Sequence, residues 1–191
     1  YEIKLTTKSD WWRYFGEYEY CVNLVFKSLK GGEITAVSLP LAYLIRHTLE
    51  IGYKMNLVEL EKVSDLDLNI KYSGKKAHRI DDLHKKFEKQ MHSIFKKYSA
   101  DREIVRQFNV LNTKLTELKR LIHKLDNSSN SFRYPVIGDG IKPNFNNPEY
   151  KDKSDIINFK KIKSLYKDSI KLLKYSTDTV NEVIANKHKK E

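Results

Sequence analysis

Apolar residues in this chain recur every three or four positions, and five separate stretches hold that rhythm long enough to predict amphipathic helices. Trp12, Phe15, Tyr18, Val22, Val25 and Leu29 fall on one stripe and predict a helix over about residues 10–30, stopped by Gly31-Gly32. Pro40 suits a first helical turn, and Leu41, Leu44, Ile45, Thr48, Leu49 and Met55 extend from it over about residues 40–57. The rhythm then breaks around Asp65, Asp67, Asn69, Ser73 and Gly74, which reads as a loop holding at most a short irregular turn. Ile80, Leu83, Phe87, Met91, Ile94 and Tyr98 give a third helix over about residues 79–98. Ile104, Phe108, Leu111, Leu115, Leu118, Ile122 and Leu125 alternate steps of four and three without a fault, over about residues 101–125.

Three of the four prolines, the Gly138-Asp139-Gly140 turn and many asparagines fall in residues 126–153, a long loop. Loops of that length, when ordered, are often functional. Ser154 can cap the last helix, over about residues 154–187, with Ile156, Phe159, Ile162, Tyr166, Ile170, Leu173, Thr177, Val180 and Ile184 inward. Five such helices with no alternating strand pattern predict an all-α fold. The architecture expected is an antiparallel bundle of about five helices in one domain spanning residues 1–191, with the long ordered loop before the last helix.

Composition narrows the chemistry. Hydrophobic residues are 40% and charged residues 32%, a globular balance with a heavily charged surface. Cys21 is the single cysteine, so no intrachain disulfide or paired-cysteine metal knuckle exists, and a reducing, cytoplasmic setting is expected. The longest apolar run, Leu39 to Ile45, is far short of a membrane span. No metal site is expected: His84 and His92 share a helix face, but Lys85, Lys86 and Lys89 around them would repel a dication. A nucleophile elbow and a phosphate-loop lysine pattern are absent too.

The net charge of +11 is regional. Residues 71–97 carry 9 Lys/Arg against 3 Asp/Glu, and residues 160–190 again 9 against 3, whereas residues 1–70 carry 8 against 10. Such basic segments suit a polyanion such as RNA, and Lys75, Lys76, Lys85, Lys86 and Lys89 are the expected phosphate contacts. A solvated lysine-rich surface is the plain alternative.

On the second helix, Arg46 and His47 precede Glu50, and Lys54 follows it by four, so these polar groups flank the apolar stripe. Placing them in an apolar helix costs burial energy unless partners satisfy them. The nearest candidates in sequence character are His78 and Arg79, opening the third helix, and the Phe132-Arg133-Tyr134-Pro135 segment. Arg46, His47, Glu50, Lys54, His78, Arg133 and Tyr134 thus read either as a salt-bridged network tying the loop down, with Arg133 forked onto Glu50, or as a phosphate or nucleotide site.

The aromatic first helix, the Leu41–Lys54 segment with its Arg46-His47-x-x-Glu50, the His78–Leu83 segment and Phe132-Arg133-Tyr134-Pro135 together resemble HEPN-like proteins of bacteria and their phages, over about residues 11–175. The resemblance implies a four- or five-helix bundle that often forms homodimers. Many members are metal-independent ribonucleases of phage defence, toxin-antitoxin or RNA-processing systems, with an Arg-x4-6-His motif paired across the dimer. The match here is Arg79 and His84. In such a pair arginine steadies the phosphorane-like charge and histidine moves a proton, so neither metal nor cofactor is needed. The same resemblance also admits a noncatalytic module partnering a nucleotidyltransferase or defence effector, or a nucleotide-binding sensor.

Overall fold

A computed structural model of the chain describes residues 10–29, 33–70, 72, 74–126, 132–133, 136–137, 142–143 and 158–189. Five helices pack together: α1 (Trp11–Ser28), α2 (Ile34–Glu61), α3 (Ile80–Lys97), α4 (Arg102–Leu125) and α5 (Phe159–His188). A 3₁₀ turn, Lys75–His78, precedes α3. Within the loop before α5, β1 (Val136–Ile137) and β2 (Lys142–Pro143) form a two-residue antiparallel ladder. The fold is an all-α bundle.

Local chemistry sets the ends. The Asp10 carboxylate accepts from the Trp12 amide at 2.7 Å and caps α1. The Asn158 side chain does the same for α5 through the Lys161 amide at 3.0 Å, while Ser154, the expected cap, lies outside the described residues. Gly31-Gly32 lies outside them as well.

Helix α2 begins at Ile34, six residues before the expected start, so Pro40 sits inside the helix and not in its first turn. Proline there removes one amide donor to Ala36, but both residues are exposed, so water can satisfy the vacated carbonyl. The helix also runs on to Glu61. From Leu41 to Leu57 only Tyr43, Leu44 and His47 escape full burial, because α1, α3 and α5 surround this segment.

Pairs of contacts give the directions. Phe15 meets Gly52 while Tyr18 meets His47, so α1 and α2 are antiparallel. Asp81 with Lys119 and Glu88 with Asn112 make α3 and α4 antiparallel, Lys163 with Phe26 and Lys174 with Glu19 make α5 antiparallel to α1, and Glu117–Lys161 joins α5 to α4. Helix α3, by contrast, runs parallel to α2. The intervening segment doubles back over α3: Lys97 bonds Val63 and Asp65, Lys86 bonds the Asn69 carbonyl, and Lys54 of α2 reaches the Tyr72 carbonyl. It turns through Asn69 and Gly74, whose φ of 45° and 84° are left-handed.

Among the described glycines, Gly52 is the one pressed against neighbouring helices. A Cβ there would stand 2.7 Å from Phe15 Cε2 and 2.9 Å from Leu173 Cδ1, both on fully buried rings or chains. Gly52→Ala should therefore destabilise the fold by about 1–2 kcal/mol, overpacking outweighing a helix-propensity gain of at most about 1 kcal/mol. Urea unfolding checks this, and an unchanged or raised midpoint would contradict the tight crossing.

Candidate functional site

The spacing of Arg46, Glu50 and Lys54, four residues apart, stacks donor, acceptor and donor along one row of α2. All three side chains are at most 5% exposed. Glu50 Oε2 accepts from Arg46 Nη1 at 3.1 Å, and Oε1 accepts from Lys54 Nζ at 2.8 Å and faces His78 Nδ1 at 2.7 Å. Burial pushes the Glu50 carboxyl up, but Lys54 and His78 together outweigh it and hold the group below its ordinary value. Arg46 spends its remaining donors on backbone: Nη2 to the His78 carbonyl at 2.5 Å and Nε to the Asp126 carbonyl at 3.2 Å, with the Asp126 carboxylate 3.5 Å away. One helix row thus ties down the segment before α3 and the end of α4. Its acceptors are filled from within the protein.

Arg133 does not fork onto Glu50, whose oxygens Arg46, Lys54 and His78 occupy. Its guanidinium stands 5.9 Å over the Tyr43 ring instead, and Phe132 beside it is buried. Tyr134 lies outside the described residues. His47 forms a separate arrangement, stacked on Tyr43 at 5.6 Å and meeting Tyr18 edge-on at 4.6 Å. Burial lowers its proton affinity.

Arg79 and His84 part company. Arg79 is half exposed and ion-pairs with Asp82 at 3.4 Å just ahead of α3. His84 is 2% exposed, in the core between α2, α3 and α4. Its Nδ1 meets the Tyr53 hydroxyl at 3.1 Å, and its Nε2 meets Thr116 Oγ1 at 3.1 Å and the Glu88 carboxylate at 3.4 Å. Burial pushes its pKa down to about 4 against the opposing pull of Glu88. An imidazole engaged at both nitrogens and shut off from solvent cannot reach a substrate to take or give a proton in this state.

The lysines divide by what neutralises them. Lys85 is paired to Asp81 at 2.7 Å, and Lys86 is spent on the Asn69 carbonyl at 3.0 Å; Lys89 is exposed. The side chains of Lys75 and Lys76 lie outside what is described. Lys119 also holds Asp81, and the two ammonium groups keep that carboxyl far below its ordinary value. Of the α3 lysines expected to carry phosphate contacts, only Lys85 is neutralised by a carboxylate; Lys86 and Lys89 keep their charge. In a second basic region no carboxylate among the described residues is paired to any of the lysines: Lys160, Lys163 and Lys167 of α5 line a groove with Lys27 of α1. These four were not singled out from the sequence, although the shared phase of Lys160, Lys163 and Lys167 along α5 could have been.

Among the described residues no group of three histidine, cysteine or acidic side chains stands together to hold a metal, and no helix is long and apolar enough to cross a membrane. Comparison with protein-family models, curated proteins and solved structures gave no match.

Proposed function

We propose that this protein is an RNA-binding helical module of the HEPN-like kind, and that it binds without cleaving. One observation supports this above the others. The buried ionic groups on α2 are matched to one another and to backbone, so the surplus positive charge is left on exposed lysines, where a phosphate backbone can reach it. Kinship with HEPN-like proteins, and with it a role in a bacterial or phage defence system, is supported by Arg46-His47-x-x-Glu50 and the Phe132–Pro135 segment. Homodimer formation and a nucleotidyltransferase or effector partner belong to the same expectation.

The metal-independent nuclease reading through Arg79 and His84 is the weaker one, because His84 would first have to leave the core. A nucleotide sensor is weaker too, since the groups that would hold its phosphates are already satisfied by protein partners.

The test is direct. Fluorescence anisotropy with a labelled single-stranded RNA should show binding at low salt, with affinity falling linearly in log–log form as salt rises. The same RNA incubated with protein in chelator should stay intact. Absence of binding at low salt would sink the RNA reading. Cleavage lost in Arg79→Ala with His84→Ala would restore the nuclease reading.

A further inference from the structure

We infer that the groove between α1 and the N-terminal half of α5 is the site where the RNA backbone is held, and that it takes a single strand without regard to sequence. The inference rests on the RNA-binding reading above and names its place.

Helical phase comes first. At 3.6 residues per turn, Lys160, Lys163, Lys167 and Lys171 fall within a sector of about 80° along α5. Asp168, the only acid in the sequence between Phe159 and Thr177, falls outside that sector. The two lysines of this stretch that are neutralised are Lys161, paired with Glu117, and Lys174, paired with Glu19. What remains is a row of like charges spanning about 10 Å from Lys160 to Lys167.

Shape comes second. The row is one wall of a groove of about 500 Å³, and Lys27 stands on the opposite wall. No acidic side chain lines it among the described residues, while Asn23 and Ser164 add neutral polar groups able to meet phosphate or ribose oxygens. Lys163 is already positioned, donating to the Phe26 carbonyl at 3.3 Å and lying 5.5 Å from the centre of the Phe26 ring, so part of its ordering cost is met before any ligand arrives. The groove also flanks the first turns of a 30-residue helix, whose N-terminal dipole favours anions.

These features select the ligand class. A shallow groove between neighbouring helices, with its lysines in one row, can track the backbone of one strand. The aromatic residues at its floor, Phe26 and Tyr166, are 8% and 2% exposed, so neither offers a face for base stacking. Grip is on the backbone alone, which carries no sequence information.

The experiment compares the unmodified protein and three variants against a labelled, mixed-sequence 12-nucleotide RNA across a salt series. Lys160→Gln with Lys163→Gln and Lys167→Gln should bind at least about tenfold more weakly, with the log–log salt slope reduced by about 2. Lys160→Gln with Lys167→Gln leaves the Lys163 bond intact, and should show about two thirds of that slope change with unaltered thermal unfolding. Lys85→Gln with Lys89→Gln on α3 should bind as the unmodified protein does. If the α3 variant loses binding and the groove variants do not, RNA binding stands and the groove is wrong. If the unmodified protein binds no RNA at all, both the functional reading and its site fall.

Discussion

Replacing Glu50 with alanine should lower the free energy of unfolding by about 3–5 kcal/mol, a large share of a domain's total stability. The expectation comes from what the substitution strands. Arg46 and Lys54 are at most 5% exposed and share this one carboxylate, so its removal leaves two cations in the core, of which Arg46 retains only backbone carbonyls and the Asp126 carboxylate at 3.5 Å. Glu50→Gln should lose most of the same amount, because an amide nitrogen would face either Lys54 or Arg46, both obligate donors. Stranded charge and lost packing can be told apart in one step. Adding Lys54→Met to Glu50→Ala should return part of the loss if charge is the cause, and deepen it if packing is. Chemical denaturation of the four proteins reads this out, and a Glu50→Ala loss below about 1 kcal/mol would mean the network is not what holds the return segment.

That network also marks how far the sequence could be read. Its local part was legible, since Arg46, Glu50 and Lys54 at four-residue steps must share a helix row. Of its remote part only His78 was legible, since its imidazole meets Glu50; the Tyr72, His78 and Asp126 carbonyls are backbone groups and leave no signature in side-chain identity. Helices α3 and α4 were readable to within about one residue because each keeps a solvent face, so polar and apolar positions separate cleanly. Helix α2 was not, because it is buried on nearly all sides. Its polar row read equally as a salt-bridged network or as a phosphate site, and Pro40 looked like a start.

Arg79 and His84 were singled out by a motif spacing, and for His84 the periodicity carries a second message. Ile80, His84, Phe87 and Met91 follow the same three- and four-residue steps as the core positions around them, so burial of His84 was written in the pattern. Counting lysines by segment similarly hid their phase on α5. Even with that phase recognised, Lys27 belongs to the groove only through tertiary packing of α1 against α5.

Burial of His84 carries a measurable consequence in acid. Its folded-state pKa is held down to about 4 by desolvation, against about 6.5 when the chain is unfolded. The unfolded chain therefore binds the proton first as pH falls, and stability is drawn off through that window. The contribution is intact above about pH 6.5 and gone once pH has fallen through about 4. Between pH 7.5 and pH 5 the loss should be about 2 kcal/mol from this residue alone, and burial of His47 and His123 adds in the same direction. Measuring no lower than pH 5 keeps the signal clear of the carboxylates, because Glu50 and Asp81 are held below their ordinary range and give up their stabilisation only at stronger acidity. His84→Gln removes the titration while leaving groups that can meet Tyr53 and Thr116, so its unfolding free energy should depend less steeply on pH than that of the unmodified protein. Parallel curves for the two proteins would mean that His84 is open to protons in the folded state. That would return it to contention as an acid–base group, since a histidine that titrates in place can also exchange a proton with a bound phosphodiester.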